Sequence, residues 1–346
     1  MSAAPITVDS VIGYLTQRGI EIGANCQVTA MVGGVSGSVL LVESDRIRLV
    51  VKQALDQLLV DDTWFAKVER ALTEAAALSV LHALSGRYVP ELIDSDEVQC
   101  ALVMTAAPAN WQPWKSDLLI EDIDQADTCA TGRTLGSVLG TWHRATAGDE
   151  ATAQRFDDYE AFEQLRVHPF HRTILARHPP LTGAIEACIA DLTQRRECLV
   201  HGDFSPKNIL VDPQHPEQLW VLDLEVAHYG AAVFDLAFLH CHLLLKAVHR
   251  PQYTSVLRQT AAAFQAAYNA EVGMPAAEQA TRRLSWHTAC LLLARVDGTS
   301  LAGYLTDPDR KRVRDLATAV LNAPARPIGD IWALATEESH EYSDHD

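Results

Sequence analysis

The chain has 346 residues, 28 of them basic and 45 acidic, for a formal net charge of −17. With 48% hydrophobic and 21% charged residues it holds enough apolar material to offset chain entropy, which excludes global disorder, and its acidity excludes a general nucleic-acid binder, because phosphate backbones select basic surfaces. The most apolar stretch, 229–248, is interrupted by Asp235, His240, His242 and Lys246, so no membrane span or membrane partner is expected.

The length suits one large or two linked domains. The first residues show no basic segment ahead of an apolar core, so no signal peptide is read there. The seven cysteines (Cys26, Cys100, Cys129, Cys188, Cys198, Cys241 and Cys290) are odd in number and include no CxxC pair. Together these features predict reduced thiols and a cytoplasmic location.

In chain order, residues 7–19 read as a short amphipathic helix with Val8, Val11, Ile12 and Leu15 on one stripe. The period then changes to that of strands over 27–32, 39–43 and 47–53. A long helix over 63–84 ends at Ser85-Gly86, and two further strands are expected at 92–94 and 100–105. The aperiodic, proline-containing stretch 106–115 reads as a hinge between an N-terminal lobe (1–105) and a mostly helical lobe (116–335). Short strands at 198–201, 208–212 and 219–223 interrupt the helices of the second lobe. The last residues, 336–346, hold five acids and little to bury, so they read as a disordered tail.

The most informative segment is 199–211, LVHGDFSPKNILV. Asp203 lies on a loop after a strand, the amide of Asn208 re-enters the next strand, and a second carboxylate, Asp223, ends the strand after that. An acid and an amide oxygen converging on one point suit a hard divalent cation, and a separate carboxylate can accept a proton from a hydroxyl. His201, Asp203, Asn208 and Asp223 reproduce H-x-D-x-x-x-x-N followed by an acid, the catalytic-loop pattern of protein kinases.

Two upstream features agree with it. Lys52 sits inside Leu49-Val50-Val51-Lys52-Gln53, a strand built for burial, where an ammonium needs a partner. Glu74 shares a helix stripe with Leu78 and Leu81 and is the favoured partner; Glu69, one face away, competes. Gly33-Gly34-Val35-Ser36-Gly37-Ser38 links the first two strands, and its amides and the Ser36 and Ser38 hydroxyls suit phosphate oxygens. It is not a Walker A loop, because a strand follows it.

These motifs resemble the aminoglycoside phosphotransferase and choline kinase superfamily over roughly residues 25–310. Val51-Lys52-Gln53-Ala54-Leu55, Trp64, Glu69-Arg70-Ala71, Glu74, His201-Gly202-Asp203, Glu225, Tyr229-Gly230 and Phe234-Asp235 are most similar to methylthioribose kinases. The resemblance implies an α+β, bilobal protein-kinase-like fold with a small antiparallel-sheet N-lobe and a mostly helical C-lobe. It implies an ATP- and Mg²⁺-dependent small-molecule kinase. Asp203 would be the catalytic base, and Asn208 and Asp223 the Mg²⁺ ligands. Lys52, Glu74 and the glycine loop (Gly33, Gly34, Ser36, Gly37, Ser38) would position phosphates, and the Met104 and Thr105 backbone would meet adenine. Asp235 either braces the loop or caps a helix, Glu225 is a second metal or substrate contact or a structural carboxylate, and Arg295 either reads the acceptor or forms a surface ion pair.

The acceptor expected is a small-molecule hydroxyl, a methylthioribose-like sugar ahead of an aminoglycoside or a choline-type amino alcohol. Three departures bear on it: Ser205-Pro206-Lys207-Asn208 inside the loop, Asp223-Leu224-Glu225-Val226 after it, and a glycine loop without asparagine. A nucleotide-binding protein without catalysis is the alternative from another class. The resemblance also admits a homodimer.

Overall fold

The computed structural model describes residues 4–31, 37–55, 66–119, 122–323 and 326–341. These divide into two units, one of residues 1–109 with 220–227, the other of residues 110–219 with 228–346.

In the first unit, alternating apolar residues build β1 (Gln27–Ala30), β2 (Gly37–Glu43), β3 (Arg48–Ala54), β4 (Leu92–Asp96) and β5 (Ala101–Thr105). They pair antiparallel in the order β1-β2-β3-β5-β4. Successive side chains of a strand point to opposite faces. Leu49 and Val51 therefore pack with Leu40, Val42, Ala101 and Val103 beneath α1 (Val11–Gln17), whose Val11 and Leu15 are fully buried. Lys52 points to the other face, towards α2 (Arg70–Ser85), which buries Ala71, Glu74, Ala75, Leu78 and Leu81.

Two helix starts differ from the sequence reading. Helix α1 begins at Val11, because the Ser10 hydroxyl accepts the Thr7 amide at 2.8 Å in a turn that leaves Val8 exposed. Helix α2 begins at Arg70, whose guanidinium bonds the carbonyls of Ala66 and Lys67 at 3.0 and 2.6 Å and closes the turn ahead of the helix. Positions 63–65, including Trp64, lie outside the described residues.

The second unit opens with β6 (Gln112–Pro113) and α3 (Trp114–Asp117), so part of the expected hinge is ordered structure. Pro113, locked in an extended conformation, serves as the N-cap of α3, and Trp114 is 1% exposed. The helices α4 (Gln125–Thr146), α5 (Glu150–Arg155) and α6 (Glu160–Phe162) follow. A π-helical segment, Glu163–Arg172, leads into α7 (Thr173–Arg177) and α8 (Thr182–Gln194). Strand β7 (Cys198–Val200) pairs antiparallel with β10 (His228–Gly230), and β8 (Ile209–Asp212) lies between β6 and β9 (His215–Val221). The unit ends with α9 (Val233–His249), α10 (Thr254–Val272), α11 (Met274–Asp297), α12 (Asp307–Leu321) and α13 (Ile328–Glu341).

Helix α13 corrects the expected tail. Ile331, Trp332 and Ala335 are buried and anchor a helix whose backbone runs on to Glu341, so 336–341 are helical; 342–346 lie outside the described residues.

Helices α4 and α10 meet along a glycine row. A Cβ on Gly132, Gly136 or Gly140 would come within 2.9, 2.2 or 3.0 Å of the carbonyl oxygens of Thr260, Phe264 and Tyr268. Both rows advance by four residues, so the contact repeats with each turn. Gly136→Ala is expected to cost about 1–3 kcal/mol through overpacking, despite the better helix propensity of Ala. Gly13→Ala in α1, where a Cβ meets nothing within 4 Å, is expected to gain about 0.5–1 kcal/mol. Urea unfolding of both variants measures the contrast.

A second expectation concerns acid. His171 is fully buried in this unit, and burial, reinforced by His287, pushes it down to about 3. Below the unfolded value of about 6.5 the unfolded chain takes a proton that the native chain refuses, so native stability falls as pH drops through that range. His171→Leu should flatten the pH dependence of urea unfolding between about pH 6.5 and 5, by up to about 1.4 kcal/mol per pH unit.

Candidate functional site

In the first unit, Lys52 is 8% exposed and its Nζ lies 2.7 Å from Glu74 Oε2, 2.5 Å from Asp223 Oδ1 and 3.9 Å from Glu225 Oε2. Glu74 rather than Glu69 is thus the helix partner; Glu69 is exposed at the N-cap of α2. Asp223 adopts the left-handed region with φ 69°, which turns its carboxylate away from the course of β9. Glu225 is 5% exposed and accepts from Arg70 Nε at 3.2 Å. Arg70, wholly buried, also bonds the Leu55 carbonyl at 2.6 Å.

Among the described residues, three carboxylates therefore share two cations, and their oxygens lie within 4.8 Å of one another. Full ionisation would leave one excess negative charge. Burial pushes the Glu74 carboxyl up to about 7; Lys52 opposes the rise, and Asp223 and Glu225 add to it. Burial alone would lower the Lys52 ammonium, but the three carboxylates hold it well above its ordinary value. An all-oxygen donor set with surplus negative charge fits a hard divalent cation.

The glycine loop is only partly described. Gly33, Gly34 and Ser36 lie outside the described residues. Gly37 opens β2 where a Cβ would come within 2.5 Å of the Gln53 carbonyl oxygen, and Ser38 donates to the Ile6 carbonyl at 3.4 Å. Met104 and Thr105 end β5 opposite Val50 and Leu49. The amides of Thr105 and Ala106 bond the carbonyls of Glu91 and Arg48, both at 3.0 Å.

In the second unit, the loop after β7 is held from below. Asp235, fully buried in the first turn of α9, accepts the amides of His201 at 2.7 Å and Gly202 at 2.9 Å, and its Oδ2 lies 3.3 Å from His143 Nε2. It braces the loop; its side chain does not cap the helix, whose N-cap is Ala232. Burial would raise the Asp235 carboxyl, but these hydrogen bonds and the adjacent histidines outweigh it and hold it below the usual range. The Asp203 amide donates to His201 Nδ1 at 3.1 Å, and Asn208 Nδ2 donates to the Asp203 carbonyl at 3.0 Å. The Asp203 carboxylate, 2% exposed, meets Arg166 Nη2 and Lys207 Nζ, each at 2.9 Å. Arg166 also donates from Nε to the Gly202 carbonyl at 2.7 Å, so one guanidinium holds both the backbone and the acid of the loop. Arg295 forms no ion pair among the described residues; it bonds Ser300 Oγ at 2.7 Å and the Leu301 carbonyl at 3.4 Å.

The spacing of the sequence does not point to Arg70, Arg166 or His143 as partners of these acids. Lys246 was visible as a charge within an apolar helix.

A family model described as a phosphotransferase enzyme family matches residues 27–268. The chain belongs to this family. The class expected from the sequence, a small-molecule kinase, stands. Methylthioribose kinase of Bacillus cereus is 26% identical over 270 residues, covering 71% of this chain and 68% of that protein. Methylthioribose kinase 2 of Oryza sativa subsp. japonica is 28% identical over 235 residues, 60% of this chain and 53% of that protein. Two crystal structures match over 92% of this chain: macrolide 2′-phosphotransferase MphH from Brachybacterium faecium (22% identity, 99% of that chain, TM-score 0.52) and aminoglycoside phosphotransferase APH(4)-Ia (15% identity, 100% of that chain, TM-score 0.53). These likenesses carry the fold: the five-stranded antiparallel sheet and the mostly helical unit are those of a protein-kinase-like chain, as the sequence predicts. Among the described residues no helix is long and apolar enough to cross a membrane.

The Arg70–Glu225 pair can be tested by a double-mutant cycle. Arg70→Met leaves a buried carboxylate without its cation and is expected to cost about 3–5 kcal/mol of unfolding free energy. Adding Glu225→Gln should recover part of that loss, giving a coupling of about 0.5–3 kcal/mol. Urea midpoints of the four proteins supply the cycle.

Proposed function

We propose that the protein transfers the γ-phosphate of ATP to a hydroxyl of a small sugar-type acceptor. The observation that carries this reading is the pairing of Lys52 with Glu74 and Asp223 on a buried strand face, within a chain of the phosphotransferase family. In this reading Lys52 binds phosphate oxygens and Glu74 fixes the lysine rotamer. Asp203 orients the acceptor hydroxyl and takes its proton at a carboxylate oxygen, while Arg166 and Lys207 keep that carboxylate in place. Asn208 and Asp223 are the residues proposed to hold Mg²⁺. When bound, Mg²⁺ supplies positive charge that neutralises the transferring phosphoryl group. Glu225, engaged with Arg70, acts as a structural carboxylate. The sugar-type acceptor rests on the likeness to methylthioribose kinases.

The test is ADP release from Mg·ATP over a panel of methylthioribose, other pentoses, choline, ethanolamine and aminoglycosides. At least one acceptor should turn over, and Asp203→Asn should lower kcat by about 10²–10⁴-fold, the range of general base catalysis. Turnover that survives Asp203→Asn unchanged would remove the base assignment, and failure of the wild-type chain to bind Mg·ATP would remove the reading as a whole.

A further inference from the structure

Helix α9 is almost wholly buried, and Lys246 sits in it at 1% exposure. Its ammonium donates to the His242 carbonyl one turn earlier, at 3.3 Å, and lies 5.5 Å from the centre of the Tyr304 ring. Among the described residues no carboxylate pairs with it. A buried ammonium without a counter-ion is costly, so either it loses its proton or an anion joins it.

The surroundings add to the imbalance. Arg295, from the last turn of α11, has a buried Nε without a hydrogen-bond partner among the described residues, and so has the Tyr304 hydroxyl. Its guanidinium lies 5.8 Å from the centre of the Phe170 ring, and the Arg166 guanidinium lies 6.0 Å from the same ring. Arg166 reaches Asp203, which also holds Lys207. A continuous path therefore runs from Arg295 across Phe170 and Arg166 to the Asp203 carboxylate. Asp309 of α12, an acid beside Tyr304, is already engaged by His249 at 2.8 Å and Arg312 at 2.6 Å. Among the described residues, Arg166, Lys207 and Arg295 act on the Asp203 carboxylate, and Lys115 and Arg295 act on Lys246, so cations gather here in a chain whose net charge is −17. Burial, then Lys115 and Arg295, push the Lys246 ammonium down to about 7, and burial with the same cations holds His242 well below its ordinary value.

We propose that this cluster is the acceptor subsite, and that the acceptor is an anionic hydroxyl compound whose phosphate ester or carboxylate is bound by Lys246 and Arg295 while its free hydroxyl meets Asp203. This rests on the phosphotransferase reading above and changes its acceptor from a neutral sugar to a negatively charged hydroxyl compound. It disfavours cationic acceptors, which the same charges repel. The Tyr304 hydroxyl offers the anion a neutral donor.

The test is calorimetric titration of the full-length chain. Mg·ADP binding to the wild-type protein is measured first, so that failure of the nucleotide reading registers on its own. Ribose, ribose 5-phosphate, ribonate and ethanolamine are then titrated without nucleotide. Ribose 5-phosphate or ribonate should bind at least about tenfold tighter than ribose, the gain that one charge-assisted hydrogen bond gives, and the better of the two identifies the anion. Lys246→Met and Arg295→Gln should each reduce that preference, and Lys246→Arg should retain most of it. If Lys246→Met does not fold, Arg295→Gln and Lys246→Arg decide. Equal binding of ribose, tighter binding of ethanolamine, no binding of either anion, or a preference untouched by the folded variants would overturn the proposal.

Discussion

A charge taken out of water must be matched, and that constraint organises the chemistry-bearing part of each unit. In the first, one lysine in a strand of buried apolar residues gathers three carboxylates from distant points in the sequence. Strand β3 supplies the lysine because its alternation turns Lys52 away from the core under α1. Helix α2 supplies Glu74 because that position shares its buried stripe. The segment after β9 contributes the remaining acids, and Arg70 keeps Glu225 from competing fully for the lysine. Among the described residues the arrangement remains short of positive charge, the condition under which a cation would be held.

The second unit meets the same constraint with the sign reversed. Asp235 is satisfied by two loop amides and a histidine, so its role is mechanical: it fixes where Asp203 points. Asp203 is itself over-matched, with two cations on one oxygen and more beyond Phe170. The acids crowd around Lys52, and the bases crowd around Asp203. In the acceptor subsite proposed above, polarity is set by these side chains rather than by the overall charge.

What the sequence made legible follows from how local the signals are. The loop from His201 to Asn208 is dense in chemistry, and part of its geometry comes from bonds two to five residues apart. Lys52 stood out because an ammonium contradicts its strand, and Glu74 could be preferred over Glu69 from helix spacing alone. Arg70 could not be paired with Glu225, because the contact spans 155 residues. Arg166 was equally hidden, since a π-helical segment breaks the 3.6-residue period by which a helix face is read. Lys246 reads in the sequence only as an interruption of an apolar stretch; its surroundings depend on Arg295 and Tyr304, which come from elements the sequence does not bring together. The terminal helix is hidden for a related reason: composition describes only the acidic segment itself, while the helix that carries it is anchored by Ile331, Trp332 and Ala335 just before it.

The chain enters its second unit at 110, returns to the first for 220–227, and leaves again at 228. That brief return carries Asp223 and Glu225. A fragment cut after 109 would retain the sheet, α2 and Lys52 but lack two of the three acids that surround the lysine, so the N-terminal unit is not a removable module. Insertion or circular permutation at 109 keeps both covalent ties of the later loop, whereas a break between 219 and 228 leaves one or both of those acids tied to the chain by one end only. Because 220–227 carries two of the acids around Lys52, insertions and breaks there should be tolerated less than at 109.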